Sequence, residues 1–154
     1  MDSPLQPRHQ AKSDLAVDVL RRFGQLRLGV TGASMLPAIQ PADTLLIRHC
    51  AFEEPGPNDV VLFERCRRLY IHRVVSRTST HLVTQGDGLP DPDMPITAQE
   101  LLGKVVQVTR NGRILNPAAG LRWPARLGAA VFSRSALAGR VFMRLQGLRG
   151  HASP

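Results

Sequence analysis

The sequence predicts a mainly β protein, in which antiparallel sheets form a small partly closed barrel or a sandwich. Short segments rich in Val, Leu and Ile recur between positions 26 and 110, and clusters of Pro, Gly, Asn and Asp separate them. This alternation is typical of small antiparallel folds. Aromatic residues make up only 5% of the 154 residues, so one domain with an aliphatic core is expected.

A flexible N-terminal region with one short helix, residues 1–25, is predicted to precede the strands. Residues 1–12 are rich in Pro, Gln and charged side chains, which indicates disorder. Ser13 or Asp14 can cap a helix that continues through Phe23. The predicted apolar face of this helix contains Leu15, Val19 and Leu20 or Phe23.

Six strands are predicted in the central β domain, residues 26–116. Thr97–Leu102 is compatible with a single helical turn, and Asn111-Gly112 is one of the turn clusters. The predicted strands are Leu26–Val30, Thr44–Arg48, Val60–Glu64, Leu69–Ser76, His81–Thr84 and Val105–Arg110.

A basic amphipathic helical tail is predicted for residues 117–154. Positions 118–149 contain six arginines and no acidic residue. Two interpretations remain open, a helix packed on the β domain and an interfacial helix on an anionic membrane surface. The predicted apolar face of the tail comprises Leu127, Val131, Ala138, Phe142 and Leu145.

The formal net charge of +8 favours an anionic partner, either a membrane surface or nucleic acid. Nucleic acid is the less favoured, because one Trp and one Tyr provide little stacking surface and one short helix is too little for a helix-turn-helix. No signal peptide and no apolar run of membrane-spanning length is recognised. The expected location is therefore cytoplasmic, with peripheral attachment to the inner membrane face as an option.

The two cysteines, Cys50 and Cys66, have no metal-ligand spacing and no third ligand nearby. Two small buried thiols are predicted, with a disulfide as the alternative. No metal and no cofactor is expected.

The segment of greatest chemical interest follows the first predicted strand, where residues 32–37 read Gly-Ala-Ser-Met-Leu-Pro. Gly32 permits the backbone to bend, and Pro37 stops a helix from forming across the segment. The hydroxyl of Ser34 is thereby presented on a rigid turn, as nucleophilic serines often are. Most serines in Gly- and Pro-rich segments are nevertheless plain turn residues.

A candidate base lies in the fourth predicted strand. Alternate residues of a strand share a face, so His72 is expected beside Tyr70 and Val74. An imidazole in this position can act as a general base, although a single histidine on a strand is more often structural.

The loop after the fifth predicted strand supplies candidate acids. Its three aspartates are Asp87, Asp91 and Asp93, and two prolines stiffen the loop. A carboxylate there can orient an imidazole through its second nitrogen. The alternatives are an acidic surface loop and a weak calcium site, although the spacing lacks the Gly-then-distant-Glu pattern of a helix–loop–helix calcium site.

In this order the segments resemble the signal peptidase and LexA-like superfamily of serine peptidases. Residues 34–37 match its S-M-x-P nucleophile box, and residues 71–75, Ile-His-Arg-Val-Val, are similar to its H-R-V box. The histidine is typical of the archaeal and endoplasmic-reticulum signal peptidases, whereas bacterial ones have lysine. Residues 84–93 resemble the acidic box, and the likeness covers roughly residues 26–110.

The resemblance implies a peptidase fold of this superfamily and a Ser-His-Asp site. Ser34 is expected to be the nucleophile, His72 the general base and then acid, and Asp93 the orienting carboxylate. Asp87 is expected to brace the loop, and Asp91 is the reserve acid. The residues expected to form the oxyanion hole or to bind substrate are Gly32, Ala33, Met35 and Pro37.

The scarcity of lysine favours the histidine type. A serine–lysine dyad needs a desolvated lysine as base, and the only lysines are Lys12 and Lys104. Neither falls where the family has its base. The sequence departs from the family at Gly32, where many signal peptidases have a serine, and at Gly88 and Leu89, where asparagines are frequent.

The expected function is that of a serine endopeptidase, which cleaves a precursor protein or leader peptide through an acyl-enzyme. Its substrate is expected to add to the domain as an extended strand, with small residues before the cut. One alternative is a catalytically inactive peptide-binding module on the same fold, with Ser34 and His72 too far apart to react. The other is a basic membrane-surface or nucleic-acid-binding protein.

Overall fold

A computed structural model describes residues 6–117. The predicted tail, apart from Pro117, lies outside the described residues, and so do residues 1–5. One helix and seven strands make up the described part. They are α1 (Gln6–Phe23), β1 (Gln25–Gly29), β2 (Thr44–Arg48), β3 (Val60–Arg65), β4 (Arg68–Arg77), β5 (Leu82–Gln85), β6 (Leu101–Arg110) and β7 (Arg113–Leu115).

All seven strands belong to one antiparallel sheet. The strand order is β1-β2-β6-β3-β4-β5, and β7 pairs with β6 in addition. The two outer strands of this order, β1 and β5, do not pair, so the sheet is not closed into a barrel. The prediction of a mainly β, antiparallel protein is confirmed.

Helix α1 is longer than predicted, because it begins at Gln6 rather than at Ser13 or Asp14. The prediction of disorder is therefore wrong for residues 6–12. Pro7 lies in the first turn, where its missing N–H has no intrahelical partner to lose, and Gln, Ala and Lys follow it as good helix formers. At the other end the N–H of Gly24, a residue with φ of 70°, donates to the carbonyl of Leu20 at 2.9 Å.

The buried face of α1 matches the prediction at Leu20 and differs from it elsewhere. Ala16, Val17 and Leu20 are buried, whereas Leu15 is 64% exposed and Phe23 is 72% exposed. Both sets satisfy helical spacing, so the periodicity of the sequence does not choose between them. The smaller residue Ala16 permits a closer approach of the helix to the sheet than Leu15 would.

Two buried clusters pack against opposite faces of β3, because neighbouring residues of a strand point to opposite sides. Val60 and Leu62 belong to the first cluster, and Val61 and Phe63 belong to the second. The first cluster also contains Val17, Leu20, Met35, Ile39, Leu45, Ile47, Leu102, Val105 and Val108. The other members of the second cluster are Cys50, Val74, Leu82, Ile96 and Leu101.

Strand β6 begins at Leu101, whereas the segment Thr97–Leu102 had been considered compatible with a single helical turn. A turn spans residues 97–101, in which the N–H groups of Glu100 and Leu101 both donate to Thr97 O, at 3.1 Å and 3.2 Å. Leu101 and Leu102 are buried at the start of the strand, where Leu101 pairs with Phe63. Burial between β2 and β3 thus outweighs the local helical pattern.

The prediction of two buried thiols is correct for Cys50 and wrong for Cys66. Both cysteines are free, and Cys66 is exposed with a φ of 52° in the turn between β3 and β4. Burial, assisted by the nearby Glu54 carboxylate, raises the pKa of the Cys50 thiol to about 11. Among residues 6–117, no helix is long and apolar enough to cross a membrane.

Candidate active site

Ser34 lies in the turn that follows β1. The N–H of Leu36 donates to Ala33 O at 3.2 Å, and the N–H of Ile39 donates to Met35 O at 2.9 Å. The side chains of Met35 and Ile39 are buried in the first cluster, which anchors the turn, while Ser34 is half-buried. The hydroxyl is thus held by a turn whose neighbouring side chains are part of the core.

A buried carboxylate ties the end of this turn to β6. Asp43 is 2% exposed and accepts hydrogen bonds from Arg110 Nε at 2.8 Å and Arg110 Nη2 at 2.6 Å. The same Nη2 donates to Ala38 O at 2.9 Å, and the N–H of Gln40 donates to the Asp43 carboxylate at 2.8 Å. A bidentate salt bridge therefore fixes the turn, in addition to the packing of its side chains.

Three side chains from separate parts of the chain form a hydrogen-bonded row. His72, on β4, has its Nε2 3.1 Å from Ser34 Oγ and its Nδ1 2.6 Å from Asp93 Oδ2. The histidine side chain is 5% exposed and that of Asp93 is 21% exposed. Because a carboxylate only accepts hydrogen bonds, the tautomer that suits this arrangement has its proton on Nδ1, which leaves Nε2 to accept a hydrogen bond from Ser34.

A fourth residue, Thr84, binds the same carboxylate oxygen of Asp93 as His72 does. Its hydroxyl donates to Asp93 Oδ2 at 2.7 Å, and the N–H of Asp93 donates to Thr84 O at 2.7 Å. Thr84 is fully buried on β5. No role was predicted for Thr84, although the available signal was a polar residue within a predicted strand.

The other two aspartates of the loop lie elsewhere. Asp87 forms a bidentate salt bridge with Arg73, which donates from Nε at 2.8 Å and from Nη2 at 2.7 Å. Both side chains are less than 10% exposed. The Arg73 Nη1 group also donates to Asn58 O at 2.8 Å and to Pro117 O at 3.1 Å. Asp91 is exposed. The carboxylate that hydrogen-bonds to the His72 ring is that of Asp93.

The acidic loop packs against the nucleophile turn, backbone on backbone. The N–H of Gly88 donates to Ser34 O at 2.9 Å. A Cβ atom on Gly86 would lie only 2.6 Å from the same carbonyl oxygen, so a larger residue would displace one of the two segments. The two glycines therefore let the acid and the nucleophile come close together.

Two aromatic rings lie beside the imidazole of His72. The ring centroid of His72 is 6.0 Å from that of Phe63, edge-on, and 6.1 Å from that of Tyr70. Phe63 and Tyr70 stack at 5.4 Å. These contacts restrict rotation of the imidazole. They also agree with the expectation that Tyr70 and His72 lie on the same face of their strand.

The remaining predicted site residues differ in exposure. Gly32 and Ala33 are exposed, Pro37 is half-buried, and the side chain of Met35 is directed into the core. Lys104 lies on β6, where its Nζ pairs with Asp59 Oδ2 at 2.9 Å. In the described part of the chain, no group of three or more His, Cys, Asp or Glu side chains is placed to hold a metal ion.

Near the acidic loop, an ion pair joins the end of β3 to the turn before β6. Arg65 Nε donates to Glu100 Oε1 at 2.6 Å, and the other carboxylate oxygen accepts the N–H of Thr97 at 2.9 Å. The hydrogen bond to Glu100 raises the pKa of Arg65. The hydrogen bond from Arg65, followed by the smaller effect of the Thr97 N–H, lowers the pKa of Glu100 despite its partial burial.

A pH-dependent contribution to stability follows from the lowered pKa of Glu100. Because the folded-state pKa lies below the ordinary value of 4.5, the contribution is present above that pH and is lost as the pH falls through the folded value. We expect the free energy of unfolding to fall more steeply between about pH 5 and pH 3 in the wild type than in Glu100→Gln. Urea denaturation across that range measures the difference. If the wild type and Glu100→Gln had identical profiles of stability against pH, ionised Glu100 would not contribute to stability as expected.

No protein-family model matches the chain, and no curated protein matches it.

Proposed function

We propose that this protein is a serine endopeptidase of signal-peptidase type, with the corresponding fold of the signal peptidase and LexA-like superfamily. The observation that supports the proposal is the continuous row from Ser34 Oγ through the His72 ring to Asp93, with contacts of 3.1 Å and 2.6 Å. A nucleophile, a base and an orienting acid in this order are the parts of acyl transfer by serine.

In the proposed mechanism, Ser34 Oγ attacks the scissile carbonyl while His72 Nε2 takes its proton. The Asp93 carboxylate stabilises the imidazolium that forms. The same Nε2 then donates the proton to the leaving amine, and an acyl-enzyme on Ser34 results. Water, deprotonated by His72, hydrolyses this ester and releases the second product. The backbone N–H of Ser34 is proposed as one donor to the oxyanion.

The proposed substrate is an extended segment of a precursor protein or leader peptide, with small residues before the cut. Exposed residues 31–33, directly before the nucleophile, provide backbone for pairing with such a segment. The proposed location is the cytoplasm or the inner membrane face, with the Arg-rich region 117–154 contacting anionic lipid. The inactive binding module required Ser34 and His72 to be far apart, so their contact favours the enzyme.

The proposal is tested by incubating the full chain with a peptide library prepared from a bacterial proteome. Mass spectrometry of the new N-termini identifies any cleavage and its sequence preference. We expect cleavage by the wild type and by Ser79→Ala, a control serine in an exposed turn, and none by Ser34→Ala. Absence of cleavage by the wild type, or cleavage that persists in Ser34→Ala, would overturn the proposal.

A further inference from the structure

We propose that Arg65 is a positioning residue for Asp93, because its guanidinium holds the backbone that directly follows this aspartate. Arg65 Nη1 donates to Met94 O at 2.9 Å, and Arg65 Nη2 donates to Pro95 O at 2.8 Å. The two carbonyls belong to the residues next in sequence to Asp93. The role in catalysis rests on the proposed function, whereas the structural effect on the Asp93–His72 contact does not.

The side chain of Arg65 is itself held from two sides. Its Nε is bound to Glu100 at 2.6 Å, and its guanidinium lies over the Phe63 ring, 5.9 Å from the centroid. A planar guanidinium with five N–H donors can serve all three acceptors at once, which the single ammonium of lysine cannot do in the same geometry. Phe63 in turn contacts the edge of the His72 ring, so Arg65 is linked to the imidazole by packing as well.

The segment that Arg65 holds has few other anchors. The side chain of Met94 is 75% exposed, and Pro95 is exposed and has no N–H to donate. The next firm attachment is at Ile96, whose N–H and carbonyl both bond to Leu82. Between Asp93 and this attachment, the two hydrogen bonds from Arg65 fix the course of the backbone.

Loss of these hydrogen bonds should displace the Asp93 carboxylate without removing it. A small displacement of a catalytic group costs up to about a hundredfold in rate. For Arg65→Met, which removes the guanidinium but keeps an unbranched side chain of similar bulk, we expect kcat to fall about 10- to 100-fold with little change in KM. Arg65→Lys should recover part of the loss, and Arg27→Met, an exposed control on β1 with the same change of charge, should have no effect.

A second measurement is independent of catalysis. A proton shared between His72 Nδ1 and a carboxylate gives a separate, far-downfield signal in the proton NMR spectrum, which can be recorded in the Ser34→Ala background. We expect Arg65→Met to shift or broaden this signal and Arg27→Met to preserve it. A signal and a kcat that are both unchanged in Arg65→Met would overturn the inference.

The two readouts separate the inference from the proposed function. If the wild type cleaves no peptide, the function fails while the NMR signal still tests whether Arg65 positions Asp93. Far-UV circular dichroism and the amide NMR spectrum establish that each variant is folded. If Arg65→Met does not fold, Arg65→Lys carries the test, because it retains the charge beside Glu100. An unaltered downfield signal in Arg65→Lys would then count against the role of the guanidinium.

Discussion

Replacement of Asp93 by asparagine is expected to lower kcat by about 10⁴-fold and to leave the fold intact. The asparagine amide can donate a hydrogen bond to the imidazole, which favours the tautomer with its proton on Nε2. In that tautomer His72 cannot accept the proton of Ser34, although the side chains keep their places. Steady-state kinetics on a peptide identified from the library measures kcat, and circular dichroism measures the fold.

Asp91→Asn is the matched control for this prediction. It makes the same chemical change two residues earlier in the same loop, at an exposed carboxylate. We expect its kcat to remain within about twofold of the wild type, as for surface substitutions remote from a site. If both variants lost activity equally, or if Asp93→Asn retained it, the orienting role would not belong to Asp93.

Arg73→Met is expected to lower the free energy of unfolding by about 3–5 kcal/mol. The substitution leaves the carboxylate of Asp87 buried without its partner, and it removes the donor to Asn58 O and Pro117 O. The cost of an unpaired buried charge is much larger than the net value of the pair itself. Urea denaturation at neutral pH, followed by circular dichroism, measures the change.

Two variants sharpen this test. Arg73→Met combined with Asp87→Leu should recover much of the loss, because no charge then remains buried alone. Arg67→Met removes an exposed partner of Asp14, at 3.5 Å, and should cost less than about 1 kcal/mol. If Arg73→Met lowered the free energy of unfolding no more than Arg67→Met does, the buried pair of Arg73 and Asp87 would not stabilise the acidic loop.

The strands were predictable where burial and turn residues agree. Strand β2 has the predicted bounds, because three consecutive aliphatic residues, 45–47, follow the turn cluster at residues 40–43. Strand β7 was missed although Asn111-Gly112 was recognised as a turn, since its three residues are all exposed and show no alternation. The face of α1 that contacts the sheet was not predictable, because Ala16 and Leu15 fit the helical period equally well.

For the site, the sequence identified candidate side chains but not their contacts. Ser34, His72 and Asp93 were named from their local motifs, and their approach depends on the pairing of β4 with β5, which includes a bulge between Val74 and Ser76. The roles of Thr84 and Arg65 had no local signal of comparable strength. Each acts on the Asp93 segment through atoms that only the folded chain brings together.

His72 and Arg73 are neighbours on one strand, and their partners Asp93 and Asp87 belong to one loop. A shift of β4 by a single residue would exchange the two faces and set a guanidinium where the imidazole belongs. On the proposed function, a chain still completing its fold is therefore inert toward other proteins, because proteolytic competence arises together with correct strand register.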